Sequence, residues 1–424
     1  MNRKIHWRPF AHAAVTAGLL LALGACSQEY PNSTFNPTTD FNTDIIALWD
    51  SLLFWGTVVF VVVEVLLLWT LWRYRRRPDG PEPTNVHGHT ALEITWTVLP
   101  AVILVMIAIP TVRTIFRTQA PAPAGSLQVE VIGHQWWWEF RYPELGITTA
   151  NELYIPVGRT VNFQLTTADV IHSFWIPQLG GKRDLIGNRV NHMWFTPDPA
   201  MTTQVFNGSC NEFCGTSHAN MKFRTFAVQP NEFESWARHQ KSAAAYPVAQ
   251  ESTGALAEAQ QEPAAQDSAT VAPVAAAPSG FTADSGYAFP AADLPDFARP
   301  HTPLPSGLTF TEGLTGDAER GRQIYSRTAC IGCHKIEGNP ISIGIIGPNL
   351  THIASRTTIA GALYPNDTRH LSLWIKNSRV MKHGSIMPTL GKGEHDPITG
   401  AVINTGGLTD QEIADIVAYL QALK

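Results

Sequence analysis

The chain has 424 residues, 44% of them hydrophobic, with a net charge of −5 and five cysteines. That length accommodates two or three domains, and the acidic balance excludes nucleic acid as a partner. Two cysteines stand at Cys210 and Cys214, two at Cys330 and Cys333, and one at Cys26, which leaves none for a separate structural disulfide.

Residues 1–26 read as an export signal, with Arg3, Lys4 and Arg8 ahead of an apolar stretch over 13–25. Leu23-Gly-Ala-Cys26 resembles a bacterial lipobox, which would make Cys26 a lipidated second anchor. An ordinary signal or an uncleaved helix is the alternative. Two longer apolar segments follow at 51–72 and 94–112, each long enough to cross a bilayer. Pro100 and Pro110 are tolerable in such a helix. The basic turn Arg73-Tyr-Arg-Arg-Arg77 marks the cytoplasmic side, so residues 45–117 are expected as a transmembrane hairpin. Everything beyond it would lie on the outer, periplasmic face of a bacterial plasma membrane. Glu64 suits an interhelical hydrogen bond, and Glu93 is either a solvated helix-end charge or a functional carboxylate.

Residues 118–240 change to short alternating runs at 127–132, 161–165, 192–195, 204–206 and 223–228, the pattern of an all-β sandwich or barrel. As one continuous strand, 133–140 would put Trp136 and Trp138 on one face and Trp137 on the other. A short helix is expected over 232–239. Residues 241–310 are rich in Ala and Pro and read as a flexible linker, with Phe281, Tyr287 and Phe289 as local docking points.

Within the β region, Cys210-Asn-Glu212-Phe-Cys214-Gly-Thr-Ser-His218-Ala-Asn-Met221 gathers two thiols, an imidazole, a thioether and a carboxylate in twelve residues. Such a soft and borderline donor set selects copper over calcium or magnesium. Each cysteine can bridge two ions, and His172 is the natural second imidazole. The reading is a dinuclear copper electron-transfer site, with a disulfide as the bland alternative.

Residues 311–424 read as a separate helical domain. Cys330-Ile-Gly-Cys333-His334 has the spacing for covalent c-type haem attachment, with His334 as the proximal iron ligand; half a zinc site is the alternative. Thr409 and Glu412 form a capping-box pattern at the last helix, which carries Ile413, Ile416, Val417 and Leu420 on one face.

The Cys210–Met221 motif resembles the dinuclear copper centre, CuA, of cytochrome c oxidase subunit II. That resemblance implies a cupredoxin-like Greek-key fold. It also implies copper ligands His172, Cys210, the Glu212 carbonyl, Cys214, His218 and Met221. The Glu212 carboxylate would face a magnesium shared with subunit I. Glu93 would sit at the mouth of a proton path, and Trp136 would pass electrons to copper. Gly347-Pro-Asn-Leu350, Met387-Pro388 and the terminal helix are similar to class I cytochromes c, with Met387 as the second axial ligand and Met381 and His383 as rivals. A subunit II body with such a fused domain resembles the caa-type haem–copper oxidases. The implied partners are subunits I and III, the membrane, and cytochrome c or an upstream quinol–cytochrome c reductase as donor. Oxygen reduction and proton pumping would take place on subunit I. The alternatives are the input subunit of a nitric oxide reductase, or a copper carrier lipoprotein.

Overall fold

The computed structural model describes Thr16, Gly18 and residues 30–75, 87–244, 281–282 and 286–424. Cys26, the rest of its lipobox-like motif, Arg76 and Arg77 lie outside the described residues.

Helix α1 (Asp40–Arg73) and helix α2 (Thr90–Gln119) are both long and apolar enough to cross a membrane. Their large side chains, among them Phe60, Leu68 and Leu104, point outward, as helices facing lipid do. Pro100 and Pro110 lie inside α2. The Arg117 guanidinium pairs with Asp44 at 2.8 Å and ties the two helices at one end. Glu93 lies in the first turn of α2, where its carboxylate accepts the His89 N–H at 3.3 Å. Glu64 lies within α1, half-buried, and among the described residues no hydrogen bond to the expected interhelical partner is formed.

The β region is a two-layer sandwich. One sheet has the order β3 (Ile147–Ala150), β2 (Trp137–Tyr142), β1 (Leu127–His134), β5 (Val161–Thr167) and β8 (Asn191–Phe195). The other has the order β4 (Glu152–Pro156), β10 (Lys222–Val228), β9 (Gln204–Cys210), β6 (His172–Trp175) and β7 (Arg183–Leu185). Pairing is parallel between β1 and β5 and between β4 and β10, and antiparallel elsewhere. Alternation along β1 and β5 buries Leu127, Val129, Val131, Val161, Phe163 and Leu165. The layer between the sheets is aromatic: Phe174 stacks on Phe223 at 5.0 Å, and Trp138 packs against Phe223 at 5.4 Å. This is the cupredoxin-like sandwich expected from the sequence.

The 133–140 run is not one strand. The chain reverses at Gln135 and Trp136, with His134 paired to Trp137. A two-residue turn takes Trp136 out of the alternation, so Trp138 is buried in the core while Trp136 projects from the end of the sandwich.

Helix α3 (Pro230–Lys241) covers one side of the sandwich with Phe233 and Trp236. Part of the stretch expected as linker is packed: Tyr287 (2% exposed), Leu294 and Ala298 join the sandwich core. The large side chains that return after the Ala-rich run supply the apolar surface that burial needs.

The C-terminal domain has its own core around helices α4 (Ala318–Arg327), α5 (Cys330–Cys333), α6 (Thr368–Met381) and α7 (Asp410–Ala422). Thr409 caps α7 through a reciprocal bond with Glu412, as its sequence predicts. This domain rests on the sandwich, with hydrogen bonds passing directly between them.

Candidate functional site

Copper-type donors converge at one end of the sandwich. His172 opens β6, Cys210 ends β9, and the loop from Asn211 leads through Cys214 and His218 to Met221 before β10. Strands therefore hold two of the donors, and one loop supplies the rest. Cys210 Sγ stands 3.7 Å from Cys214 Sγ, 3.8 Å from His172 Nδ1 and 3.3 Å from the Glu212 carbonyl oxygen. Cys214 Sγ stands 3.6 Å from His218 Nδ1 and 3.8 Å from Met221 Sδ. The thiols are much farther apart than the ~2.05 Å of a disulfide. The ligand atoms of His172, Cys210 and Cys214 lie within 4.8 Å of one another, a separation that an ion coordinated by all three can span. The Cys210 thiol is pulled down to about 3, first by its bond with Cys214 and then by bonds from His172 and the backbone, against the cost of burial. Cys214 is pushed up, first by the same bond and then by burial.

Two details orient the imidazole. Burial works against a charged His172, but bonds to Asp169 and Cys210 outweigh it and hold the ring above its usual value. His172 Nε2 meets Asp169 Oδ1 at 2.8 Å, which turns Nδ1 toward the thiols. Asp169 also accepts the Gln135 N–H at 2.7 Å, and these bonds overcome the effect of burial and keep its carboxyl below the usual range. Close approach of β1 needs Gly133: a Cβ there would lie 2.6 Å from the His172 ring.

The C-terminal domain surrounds a largely apolar cavity. Cys330, Cys333, His334, Leu350, Leu371 and Met387 line it from the domain itself. His334 Nδ1 donates to the Pro348 carbonyl at 2.8 Å, which leaves Nε2 free for a metal. The two thiols, one oriented imidazole and one thioether fit a covalently attached haem. Of the rivals, Met381 is in the domain core, with its carbonyl accepting from Tyr364, and neither Met381 nor His383 lines the cavity.

Trp136 lies between the two sites. Its Nε1–H donates to the Cys214 carbonyl at 3.1 Å, alongside Gln135 Nε2 at 2.8 Å. Gln135, Trp136 and Trp137 also form one wall of the cavity that holds Cys330 and Cys333. Gly384 of the C-terminal domain packs on the indole so closely that a Cβ would lie 2.5 Å from Cζ3. Sequence reasoning missed Asp169 as the orienter of His172, although its position three residues upstream was the available signal. It also missed Glu152 and Lys382, whose partners are distant in the chain. The Glu212 side chain is exposed, away from the thiols.

Residues 34–114 match the family described as cytochrome c oxidase subunit II, transmembrane domain, and 145–228 match its periplasmic domain. Residues 318–424 match the cytochrome c family. Cytochrome c oxidase subunit 2 of Alkalihalophilus pseudofirmus is 32% identical, over 87% of this chain and 83% of its own. The Bacillus subtilis protein of the same name is 28% identical over 99% and 98%. A crystal structure of the periplasmic domain of subunit II of cytochrome oxidase from Bradyrhizobium japonicum is 33% identical over 28% of this chain and 97% of its own, with a TM-score of 0.27. The subunit II domains imply copper and the cytochrome c domain implies haem. The chain therefore belongs to the cytochrome c oxidase subunit II family, as a member that carries its own cytochrome c domain.

Proposed function

We propose that this chain is the electron-input subunit of a haem–copper terminal oxidase. Electrons from a cytochrome c or quinol–cytochrome c reductase donor would pass through its haem domain and its copper loop to subunit I, where oxygen is reduced with proton pumping. When bound, the haem and the dinuclear copper supply reversible one-electron chemistry. The residues supply position. His172, Cys210, Cys214, His218, Met221 and the Glu212 carbonyl would hold copper; Cys330 and Cys333 would attach haem, and His334 and Met387 would ligate its iron.

The observation that carries the reading is Trp136, which walls the haem cavity with its ring while its Nε1–H is bonded to the Cys214 carbonyl. No other described side chain both lines the cavity and donates from its ring to the copper loop. Asp169 and Pro348 each fix one imidazole tautomer, so both ligand nitrogens face their sites without rearrangement. The exposed Glu212 carboxylate is available to a magnesium shared with subunit I, and Glu93 to a proton path. Subunits I and III would pack on the outward apolar faces of α1 and α2, and the basic turn after α1, on the cytoplasmic side, would put the copper and haem domains on the periplasmic side.

The test is turnover of the complex purified through this subunit, with reduced donor and either oxygen or nitric oxide. Rapid oxygen uptake that disappears in Cys210→Ser supports the reading. Nitric oxide consumption without oxygen uptake would overturn it in favour of a nitric oxide reductase.

A further inference from the structure

A carboxylate of the copper domain is buried in the haem domain. Glu152, on β4, is 2% exposed. Its Oε1 accepts from the Thr357 N–H at 2.8 Å, the Thr357 hydroxyl at 2.6 Å, the Thr358 N–H at 3.1 Å and the Thr358 hydroxyl at 3.4 Å. Arg224 on the copper domain is buried near it and Arg356 on the haem domain half-buried, and a charge on Glu152 opposes the cost of desolvating each guanidinium.

Position gives this contact its meaning. Arg356, Thr358 and Ile359 line the haem cavity. Glu152 pairs in register with Arg224 of β10, three residues after Met221. The contact thus joins a wall of the haem cavity to the strand that leaves the copper loop. A second set of bonds crosses the same interface. Lys382 Nζ donates to the Trp136 carbonyl at 2.6 Å and to the Ala360 carbonyl at 3.0 Å, and Ser217 donates to the His383 carbonyl. Trp136 is thus itself held by the haem domain.

Affinity is not what such a carboxylate adds, because burying it costs roughly what its partners return. Orientation is. A differently docked haem domain that still covered Glu152 would leave its carboxylate desolvated without the Thr357 and Thr358 donors, a mismatch that is penalised strongly.

We propose that Glu152 is a positioning residue for electron transfer within the chain. Acting through Thr357 and Thr358, it holds the haem domain in one orientation over Trp136. Transfer then starts from a preset geometry and does not wait for collisions at the end of a tether. This rests on the proposed function.

The experiment uses the intact oxidase complex with a covalently attached ruthenium photoreductant, following haem oxidation and copper reduction after a flash. Wild-type transfer is expected to be independent of solvent viscosity. Glu152→Ala should slow it on the order of tenfold, as misoriented states take over the population, and make it viscosity-dependent. Glu152→Gln, which keeps the acceptor oxygen, should recover most of the rate. Both variants should retain the haem visible bands and the copper near-infrared bands. A wild-type rate that falls with viscosity would overturn the proposal whether or not either variant folds. So would an unchanged rate in Glu152→Ala. Absence of copper or haem bands from the wild type would instead overturn the function on which the proposal rests.

Discussion

Gly347→Ala probes the haem site at one carbon atom. A Cβ at this position would lie 2.5 Å from His334 Cε1, 2.8 Å from Nδ1 and 3.1 Å from Nε2. Relaxed carbon contacts lie near 3.5–4.0 Å, so the overlap is about 1 Å and falls on the ring itself. The ring cannot simply retreat. Its Nδ1–H is bonded to the carbonyl of Pro348, the very next residue, and burial already holds the imidazole below its usual pKa despite that bond. Overpacking of this kind costs about 1–3 kcal/mol. Stretching or losing the buried bond adds about 1–3 kcal/mol, so a total of roughly 2–6 kcal/mol is expected. For a domain of this size that lowers the unfolding midpoint by roughly 10 °C or more. The assay is thermal unfolding of the purified holo-chain, followed by the visible haem absorption. A midpoint within about 2 °C of wild type with an unaltered spectrum would refute the reasoning, since it would mean that the 347–350 loop does not hold the ring.

Asp169→Asn removes the charged acceptor on His172 Nε2 and should weaken copper retention about 10- to 100-fold, read by competition with a chelator; unchanged retention would show that Asp169 does not orient the ligand. Lys382→Met leaves the Trp136 and Ala360 carbonyls without their donor and should loosen the interface by about 1–3 kcal/mol. Faster hydrogen exchange around Gly361 and Gly384 is the expected signal, and unaltered exchange would count against it. Acid should loosen the same junction through a histidine pair. His239 on α3 faces His352 of the haem domain at 4.7 Å, with Ser355 bonded to one ring and the Ser242 carbonyl to the other. Burial first, then the neighbouring His352, pushes His239 down to about 4, while burial followed by the Arg356 charge lowers His352. The unfolded chain binds protons that the folded one refuses, so stability should be full above about pH 6.5 and fall as pH drops toward 4. Unfolding midpoints across that range should show the decline, and His239→Gln should flatten it; equal slopes in the two proteins would rule out the pair as its source.

Legibility followed sequence distance. The copper donors were readable because all but His172 sit in one twelve-residue loop, and the haem donors because Cys330, Cys333 and His334 are nearly contiguous. Strands β1, β5, β8, β9 and β10 were readable from alternation, whereas the short β3, β4, β6 and β7 were not singled out. Trp136 was readable by resemblance only, since its alternating neighbours suggested a strand where the chain turns in two residues. Glu152 could not be recognised, because its partners lie over two hundred residues away and an acidic residue at the start of a strand usually faces water. Lys382 was hidden for the same reason: a lysine is expected at the surface, and nothing local announces a partner carbonyl at Trp136. Tyr287 and Phe289 were anticipated as local docking points and do pack on the sandwich, whereas the packing of Leu294 and Ala298 was obscured by the low-complexity run before them.

The shared wall of the cavity bears on the order of maturation. Cys330 and Cys333 line a space that Gln135, Trp136 and Trp137 wall from the other domain. With haem attached at these thiols, as proposed, the macrocycle would enter more freely before that wall is in place. Thioether formation would then precede docking of the two domains, and a chain that docks early would hinder the loading of its own prosthetic group.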